Sequence, residues 1–297
     1  MELTRCIKLY LIAMRQEGKS DATLRQYGWH LDRLSGWFAD RGVTSIRQVS
    51  RDLLREWGAG LHDGWAPATV RQAVSAARSF LTWCRAETLI DEDLAHSLRV
   101  PDVKVRLQRT LTAAEIQGLV AACPQTPLGL RNRALICLLA DSGLRASEIC
   151  RLQVANTHIP FGTLTVIGKG GDQEMAYFGE TTAAWLAAWL AVREAAPRVK
   201  ALFVSIGGVK PGHPLTPSGL RHVLRRLGTM AGIDGVSPHA FRRAFACIAT
   251  EAGVPSRVLQ KAGRWSDIRM VERYTMGLNV SALYRLYSPV EFLERCA

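Results

Sequence analysis

Several side chains between residues 142 and 274 are of the types that handle phosphate esters. Ser142-Gly-Leu-Arg145-Ala-Ser-Glu148 sets a guanidinium three residues before a carboxylate, and Gly168-Lys169-Gly170-Gly171-Asp172 puts an amine on a glycine-rich turn. Pro238-His239-Ala-Phe-Arg242-Arg243 places an imidazole and a guanidinium one helical turn apart. Ala262-Gly-Arg264-Trp265 follows, and Tyr274 comes nine residues after that Trp. A guanidinium fork matches two phosphate oxygens, an amine or imidazole can carry a proton, and a phenol can become a nucleophile. Each feature alone also has an ordinary structural reading. Arg145 and Glu148 could be a plain ion pair, a hairpin Lys usually faces solvent, and His239 could simply start a helix. Trp265 and Tyr274 could be packing.

The charge balance favours a polyanionic partner as much as it favours plain solubility. The 297-residue chain carries 38 basic against 26 acidic residues, a net charge of +12. Only seven of the basic residues are Lys, and the rest are Arg, whose planar donors suit phosphate. The excess is uneven: net +2 over residues 1–100 and +10 over 101–297. With 48% hydrophobic residues the chain is folded rather than disordered, and its length suggests two domains.

Those residues need elements to hold them. Over residues 1–100 the spacing predicts a helical bundle. Leu24, Tyr27, Leu31, Leu34, Trp37 and Phe38 form one apolar stripe, and Val70, Ala73, Val74, Ala77, Phe80, Leu81 and Cys84 form another after Ala66-Pro67. Further helices are expected over Leu3–Met14 and after Ser50. Arg25, Arg33, Arg71 and Arg78 lie off the stripes, where they face either DNA or solvent. Residues 101–111 read as a linker after Pro101; just before and within it Arg99, Lys104, Arg106 and Arg109 face one acid, so it either follows a phosphate backbone or simply connects.

The second domain, 112–297, opens on a Thr112/Glu115 capping box and an apolar helix over Leu128–Ala140 that stops at Asp141-Ser142-Gly143. Alternation from Gly162 to Phe178 predicts a hairpin turning at Lys169, and Leu202–Ser205 reads as another short strand. Helix starts recur at Pro217-Ser218, Ser237-Pro238, Pro255-Ser256 and Ser266-Asp267. The expected fold is mainly α with a small antiparallel sheet.

Taken in order, Arg145, Lys169, His239-x-x-Arg242, Trp265 and Tyr274 resemble the signature of the tyrosine recombinase, or phage integrase, family: Arg, Lys, His-x-x-Arg, His or Trp, Tyr. The resemblance covers residues 112–275 and is closest to simple Xer-like or Cre-like site-specific recombinases. It implies a helical core-binding domain followed by a catalytic domain, and cleavage of DNA through a 3′-phosphotyrosine on Tyr274. Arg145 and Arg242 would grip the non-bridging oxygens, and Lys169 would protonate the leaving 5′ oxygen. His239 would accept the tyrosine proton or donate to phosphate, Trp265 would offer its indole N–H, and Glu148 would orient Arg145 or His239. Trp265 stands where most members have a second His; Cre has Trp there too. Arg243, where many members have His, is assigned to a phosphate or structural contact, and Arg243 and Arg264 are both grouped with the DNA-binding residues.

The same resemblance implies double-stranded DNA with an inverted-repeat site, a homotetramer on DNA passing through a Holliday junction, and a C-terminal exchange helix over 289–297. The free chain would be a monomer or weak oligomer, and an accessory DNA-bending protein or second recombinase could assist. Two rivals remain: a type IB topoisomerase-like relaxing activity and a catalytically silent DNA-binding accessory protein. No metal, ATP or other cofactor is expected, because the carboxylates are scattered and Gly168-Lys169-Gly170-Gly171 lacks a P-loop's spacing. Seven cysteines without a C-x-x-C pair suggest reduced core thiols, and no apolar run reaches membrane-spanning length. A cytoplasmic, nucleoid-associated protein is expected.

Overall fold

The computed structural model describes residues 1–102, 109–168, 171–208 and 210–278. Lys104, Arg106, Lys169 and the expected exchange helix 289–297 lie outside the described residues. The chain divides into two compact units, Met1–Arg106 and Leu107–Ala297.

The first unit is built from α1 (Leu3–Gln16), α2 (Asp21–Ala39), α3 (Arg51–Gly60) and α4 (Pro67–Ala86). Helix α2 starts where the Ser20 hydroxyl accepts from the Thr23 N–H at 3.2 Å, α3 where Ser50 accepts from Leu53, and α4 at a Pro whose fixed φ suits a first turn. The two predicted apolar stripes meet in one core: Leu31, Leu34, Phe38, Val70, Phe80 and Cys84 are all buried.

The second unit continues with α5 (Ala113–Ala121), α6 (Pro127–Ser142), α7 (Ala146–Arg151), β1 (Thr157–His158), β2 (Thr163–Ile167) and β3 (Gln173–Tyr177). It closes with α8 (Glu180–Ala191), α9 (Pro217–Ala231), α10 (Pro238–Glu251), α11 (Ser256–Ala262) and α12 (Arg269–Thr275). The Thr112 capping box forms as expected, with Glu115 returning to the Thr112 N–H at 2.9 Å. Helix α6 is buried on nearly every face and forms the centre of the core together with α8 and α10. The sheet runs β1-β2-β3, antiparallel throughout, and the hairpin register pairs Thr163 with Tyr177 and Ile167 with Gln173, so its turn spans 168–172.

Two expectations need correcting. Leu202–Ser205 is no strand but a buried run with isolated bridges, Gln153 to Ala201 and Val204 to Pro214. Its backbone hydrogen bonds divide between two segments: Leu202 N–H donates to the Leu152 carbonyl, while Ser205 N–H to His213, Gly212 N–H to Ser205 and Leu215 N–H to Phe203 tie it to residues 212–215. The pairing with 212–215 amounts to one antiparallel bridge, too short to make a strand. The last helix also begins later than Ser266-Asp267, at Arg269, with the Asp267 carboxylate accepting from the Arg269 N–H at 2.9 Å. The six described cysteines are unbridged, and Cys84 and Cys247 are buried.

Candidate active site

Four short segments of the second unit carry the site. Helix α6 ends at Gly143, whose φ of +55° is a left-handed turn that an L side chain adopts only at a cost. A Cβ there would also lie 2.6 Å from Phe245. The turn delivers Arg145 to the start of α7, where Glu148 caps the helix by accepting from the Arg145 backbone N–H at 2.9 Å. The same carboxylate pairs with the Arg145 guanidinium at 2.6 Å. Glu148 is only 5% exposed, whereas the Arg145 side chain keeps 39% of its surface open to solvent.

Helix α10, capped by Ser237, brings Arg242 into the interior at 2% exposure. Its fork donates to the carbonyls of Gly143 and, at 2.6 Å, of Gly263, and its cation lies 4.6 Å from the Trp265 ring centroid. Gly263 has no room for a side chain: a Cβ would meet the Trp265 ring at 2.1 Å. Trp265 and Tyr274 face one another with ring centroids 5.5 Å apart, and Phe245 backs the indole at 6.1 Å. The Trp265 indole N–H is buried and has no acceptor among the described residues. Tyr274 is half-buried, its backbone carbonyl accepting from the Cys247 thiol at 3.2 Å.

The electrostatics follow from this crowding. Burial pushes the Glu148 carboxyl up, but hydrogen bonds from the Arg145 backbone and guanidinium, with the Arg264 and Arg145 charges, hold it below the usual carboxylate range. Burial and the neighbouring cations Arg145 and Arg264 pull Arg242 down from the ordinary guanidinium value, though it stays protonated. His239 sits at the exposed start of α10; partial desolvation of its ring and then the Arg243, Arg242 and Arg145 charges hold it below the ordinary imidazole value. A cleft of about 1120 Å³ opens beside these groups, lined by Arg145, Arg264 and Trp265 on one side and Glu174, Met175 and Tyr177 of β3 on another.

The structure therefore gathers Arg145, Glu148, Arg242, Trp265 and Tyr274, with His239 at the rim. Arg264, expected among the DNA-binding residues, is not at the surface: it is 8% exposed and donates to the Ser142 and Ala262 carbonyls and towards Glu148. Arg109 pairs with Glu115 and the Asp234 carbonyl, and Arg243 donates to the Arg109 carbonyl at 2.7 Å. In the first unit Arg25, Arg33 and Arg71 are exposed and Arg78 is half-buried. The Arg33 guanidinium lies 4.4 Å from the Trp29 ring and 5.5 Å from the Trp65 ring. The sequence reading missed the Gly143 and Gly263 carbonyls as anchors for Arg242; the two glycines beside the catalytic motifs were the available signal. Among the described residues no cluster of three or more His, Cys, Asp and Glu is gathered for a metal, and no helix is long and apolar enough to cross a membrane.

Residues 109–279 match the phage integrase family, and residues 7–88 match the phage integrase N-terminal SAM-like domain. Tyrosine recombinase XerC of Xanthomonas campestris pv. campestris (strain B100) is 31% identical over 255 residues, 85% of this chain and 78% of that protein. Tyrosine recombinase XerD of Proteus mirabilis is 29% identical over 267 residues, 88% and 84% of the two chains. Among solved structures, the XerH site-specific recombinase bound to a palindromic difH substrate superposes with a TM-score of 0.74 at 19% identity, covering 90% of this chain and 80% of that one. A lambda integrase dimer bound to a COC′ core site gives 0.73 at 17% identity, covering 91% and 97%. At these identities the structural likeness speaks for the fold.

Proposed function

The chain belongs to the phage integrase family and is a tyrosine recombinase of the Xer type, and from that premise we propose that it cuts and rejoins DNA at specific sites through a phosphotyrosine on Tyr274. The observation that supports the assignment of residues is the packing of Arg242 and Tyr274 against Trp265, whose buried indole N–H is unpartnered among the described residues and which lines one cleft together with Arg145.

In this mechanism the Arg145 and Arg242 forks hold the two non-bridging oxygens, where charge accumulates as the phosphorus becomes pentacovalent. Arg242 uses two of its N–H groups on the Gly143 and Gly263 carbonyls, which fixes the plane in which the others reach the phosphate. His239, kept neutral near pH 7 by its surroundings, takes the Tyr274 proton. The Tyr274 oxygen bonds to phosphorus, the bond to the 5′ oxygen breaks, and Lys169 supplies that oxygen with a proton. Attack by a 5′ hydroxyl reverses each step and rejoins the strand without loss of bond energy. The Trp265 N–H finds its acceptor in a phosphate oxygen.

Double-stranded DNA is the partner this reading requires. Arg25, Arg33, Arg71 and Arg78 on α2 and α4, together with Lys104 and Arg106 of the connecting segment, would contact its phosphates, while Arg109 and Arg243 brace each other beside His239. Four copies on paired inverted repeats, coupled through residues 289–297, would exchange strands through a Holliday junction. The test is covalent capture: wild type and Tyr274→Phe are incubated with a randomised duplex library carrying nicks that trap the adduct, and the DNA left on denatured protein is sequenced. Adducts from wild type alone, enriched for inverted repeats around a short spacer, are expected. An adduct on Tyr274→Phe would refute the nucleophile, adducts without sequence choice would point to a relaxing enzyme, and tight binding without any adduct would overturn the reading.

A further inference from the structure

Arg264 occupies a backbone conformation that its side chain does not favour. It follows α11 with φ of +54°, the left-handed region in which glycine commonly ends a helix, and it is one of three non-glycine residues in the described chain with positive φ. Such strain persists where the surrounding structure over-determines it. Here the determinants are visible. The side chain is 3% exposed, and its fork donates to the Ala262 carbonyl at 2.9 Å and to the Ser142 carbonyl at 3.3 Å, tying the end of α11 to the end of α6. The same nitrogen lies 3.5 Å from the Glu148 carboxylate, on the oxygen that also caps the Arg145 backbone N–H.

This arrangement changes what Arg145 can offer. With Glu148 as its only buried partner, the Arg145 guanidinium would be half of a neutral pair, and its field at a phosphate would be largely cancelled. A second guanidinium on the carboxylate leaves a net positive charge on the Arg145–Glu148–Arg264 group, before Arg242 is counted. Glu174, half-buried on the rim of the same cleft, also acts on Arg264 from the sheet side without an ion pair to it among the described residues, so the five groups together, Arg242 included, keep a net charge of +1. A phosphodiester brings one negative charge and its pentacovalent transition state approaches two, so extra positive charge counts most at the transition state.

We propose that Arg264 is a positioning residue of this recombinase: it shares Glu148 with Arg145, holds that carboxylate in place, and so leaves the Arg145 charge available to the scissile phosphate. The proposal rests on the function assigned above and deepens it. A plain strut between α6 and α11 is the alternative.

The experiment uses the full chain and a duplex recovered by covalent capture, prepared with either the natural scissile phosphodiester or a methylphosphonate, which removes one negative charge from that phosphorus. Wild type, Arg264→Gly and Arg264→Lys are compared for single-turnover cleavage at saturating DNA, DNA affinity and thermal melt. Glycine accepts the left-handed backbone, so Arg264→Gly removes the guanidinium while relieving strain. On phosphodiester DNA its cleavage rate should fall on the order of tenfold to a hundredfold, less than for a donor touching the oxyanion, with DNA affinity unchanged. Arg264→Lys should recover part of the rate. On the methylphosphonate the deficit of Arg264→Gly should shrink to within about threefold, because less charge needs balancing. An equal deficit on both substrates, or a rate loss that simply follows a lowered melt, would make Arg264 a strut. No loss on phosphodiester DNA would overturn the proposal outright. Failure of wild type itself to form an adduct would instead sink the recombinase reading on which it stands.

Discussion

Arg145, Arg242 and Arg264 crowd around one buried carboxylate and a set of helix-end carbonyls, whereas Arg25, Arg33, Arg71 and Arg78 stand on α2 and α4 with no carboxylate paired to any of them among the described residues. Their neighbours in the first unit do pair: Arg41 with Glu56, Arg51 with Glu92 and Arg85 with Asp93. Arg33 is held instead by the faces of Trp29 and Trp65, an attraction worth about 0.5–1 kcal/mol at an exposed site that leaves its charge uncancelled. The second unit thus uses arginine where direction matters, and each fork is fixed before substrate arrives. The first unit keeps arginine where only charge and reach matter. A guanidinium buried to 2% is kept only if its donors are satisfied, so geometry and charge are purchased together there.

The comparison breaks most visibly if the buried set behaves like the exposed one. Arg242→Ala should lower single-turnover cleavage on the order of 10²–10³-fold, the usual loss for one oxyanion donor. It also leaves the Gly143 and Gly263 carbonyls without their donor, a cost of about 1–3 kcal/mol in a denaturant melt. DNA affinity should change far less than cleavage; an equal loss in both would mean that Arg242 only binds. Glu148→Gln comes next. It strands Arg264 beside a neutral amide and should destabilise the fold by about 3 kcal/mol, the low end for a broken buried pair because solvent still reaches Arg145. The sign in pH follows from the lowered carboxyl. Its contribution is present above the ordinary carboxyl value of 4.5 and is lost as pH falls through the lower folded value, so wild type should converge on the variant in acid.

What was legible in the sequence divides along the same line. The helices of the first unit could be read because Leu31, Leu34, Phe38 and the residues from Val70 to Cys84 repeat at helical spacing and one face of each is buried. The hairpin could be read because Gly168 to Asp172 interrupts an alternating run, and the register of β2 on β3 follows from it. The candidate site residues stood out as an ordered set of motifs, with Arg145 and His239-x-x-Arg242 at helix starts and Trp265 and Tyr274 nine residues apart. Leu202–Ser205 was misread because a buried apolar run looks like a strand whether or not a partner strand lies beside it. Arg264 was misread for a physical reason too. An arginine between a glycine and a tryptophan has the composition of a surface contact, and only the left-handed backbone at φ +54° turns it inward under Glu148.

His239 sharpens the contrast at the boundary between the two regimes, because it is solvent-reachable yet surrounded by Arg243, Arg242 and Arg145. Its folded value lies below the ordinary 6.5, so more than half of the rings are neutral at that pH. Cleavage at saturating DNA should therefore fall in acid as the base becomes protonated, with the midpoint of that acid limb below pH 6.5. His239→Asn should cut the plateau rate on the order of 10²-fold, the low end for a lost general base, and should abolish that acid limb. An acid limb that survives in the variant would assign the proton transfer to another group.

The smallest effect is expected on the exposed helices, and it tests their half of the comparison. Arg71 on α4 is exposed and enters no ion pair among the described residues, so Arg71→Ala should move the melt by no more than about 0.5 kcal/mol. If the side chain neutralises one phosphate, it releases about one counterion on binding. The slope of log affinity against log salt should then become shallower by about 0.9, uniformly across DNA sequences, while the cleavage rate at saturating DNA is unchanged. A sequence-dependent loss would instead place Arg71 against base edges, and an unchanged slope would leave it as solvated surface. The shallower slope at an unchanged rate would separate charge that merely holds DNA from charge that acts on one phosphate, the distinction drawn by the buried cluster around Glu148.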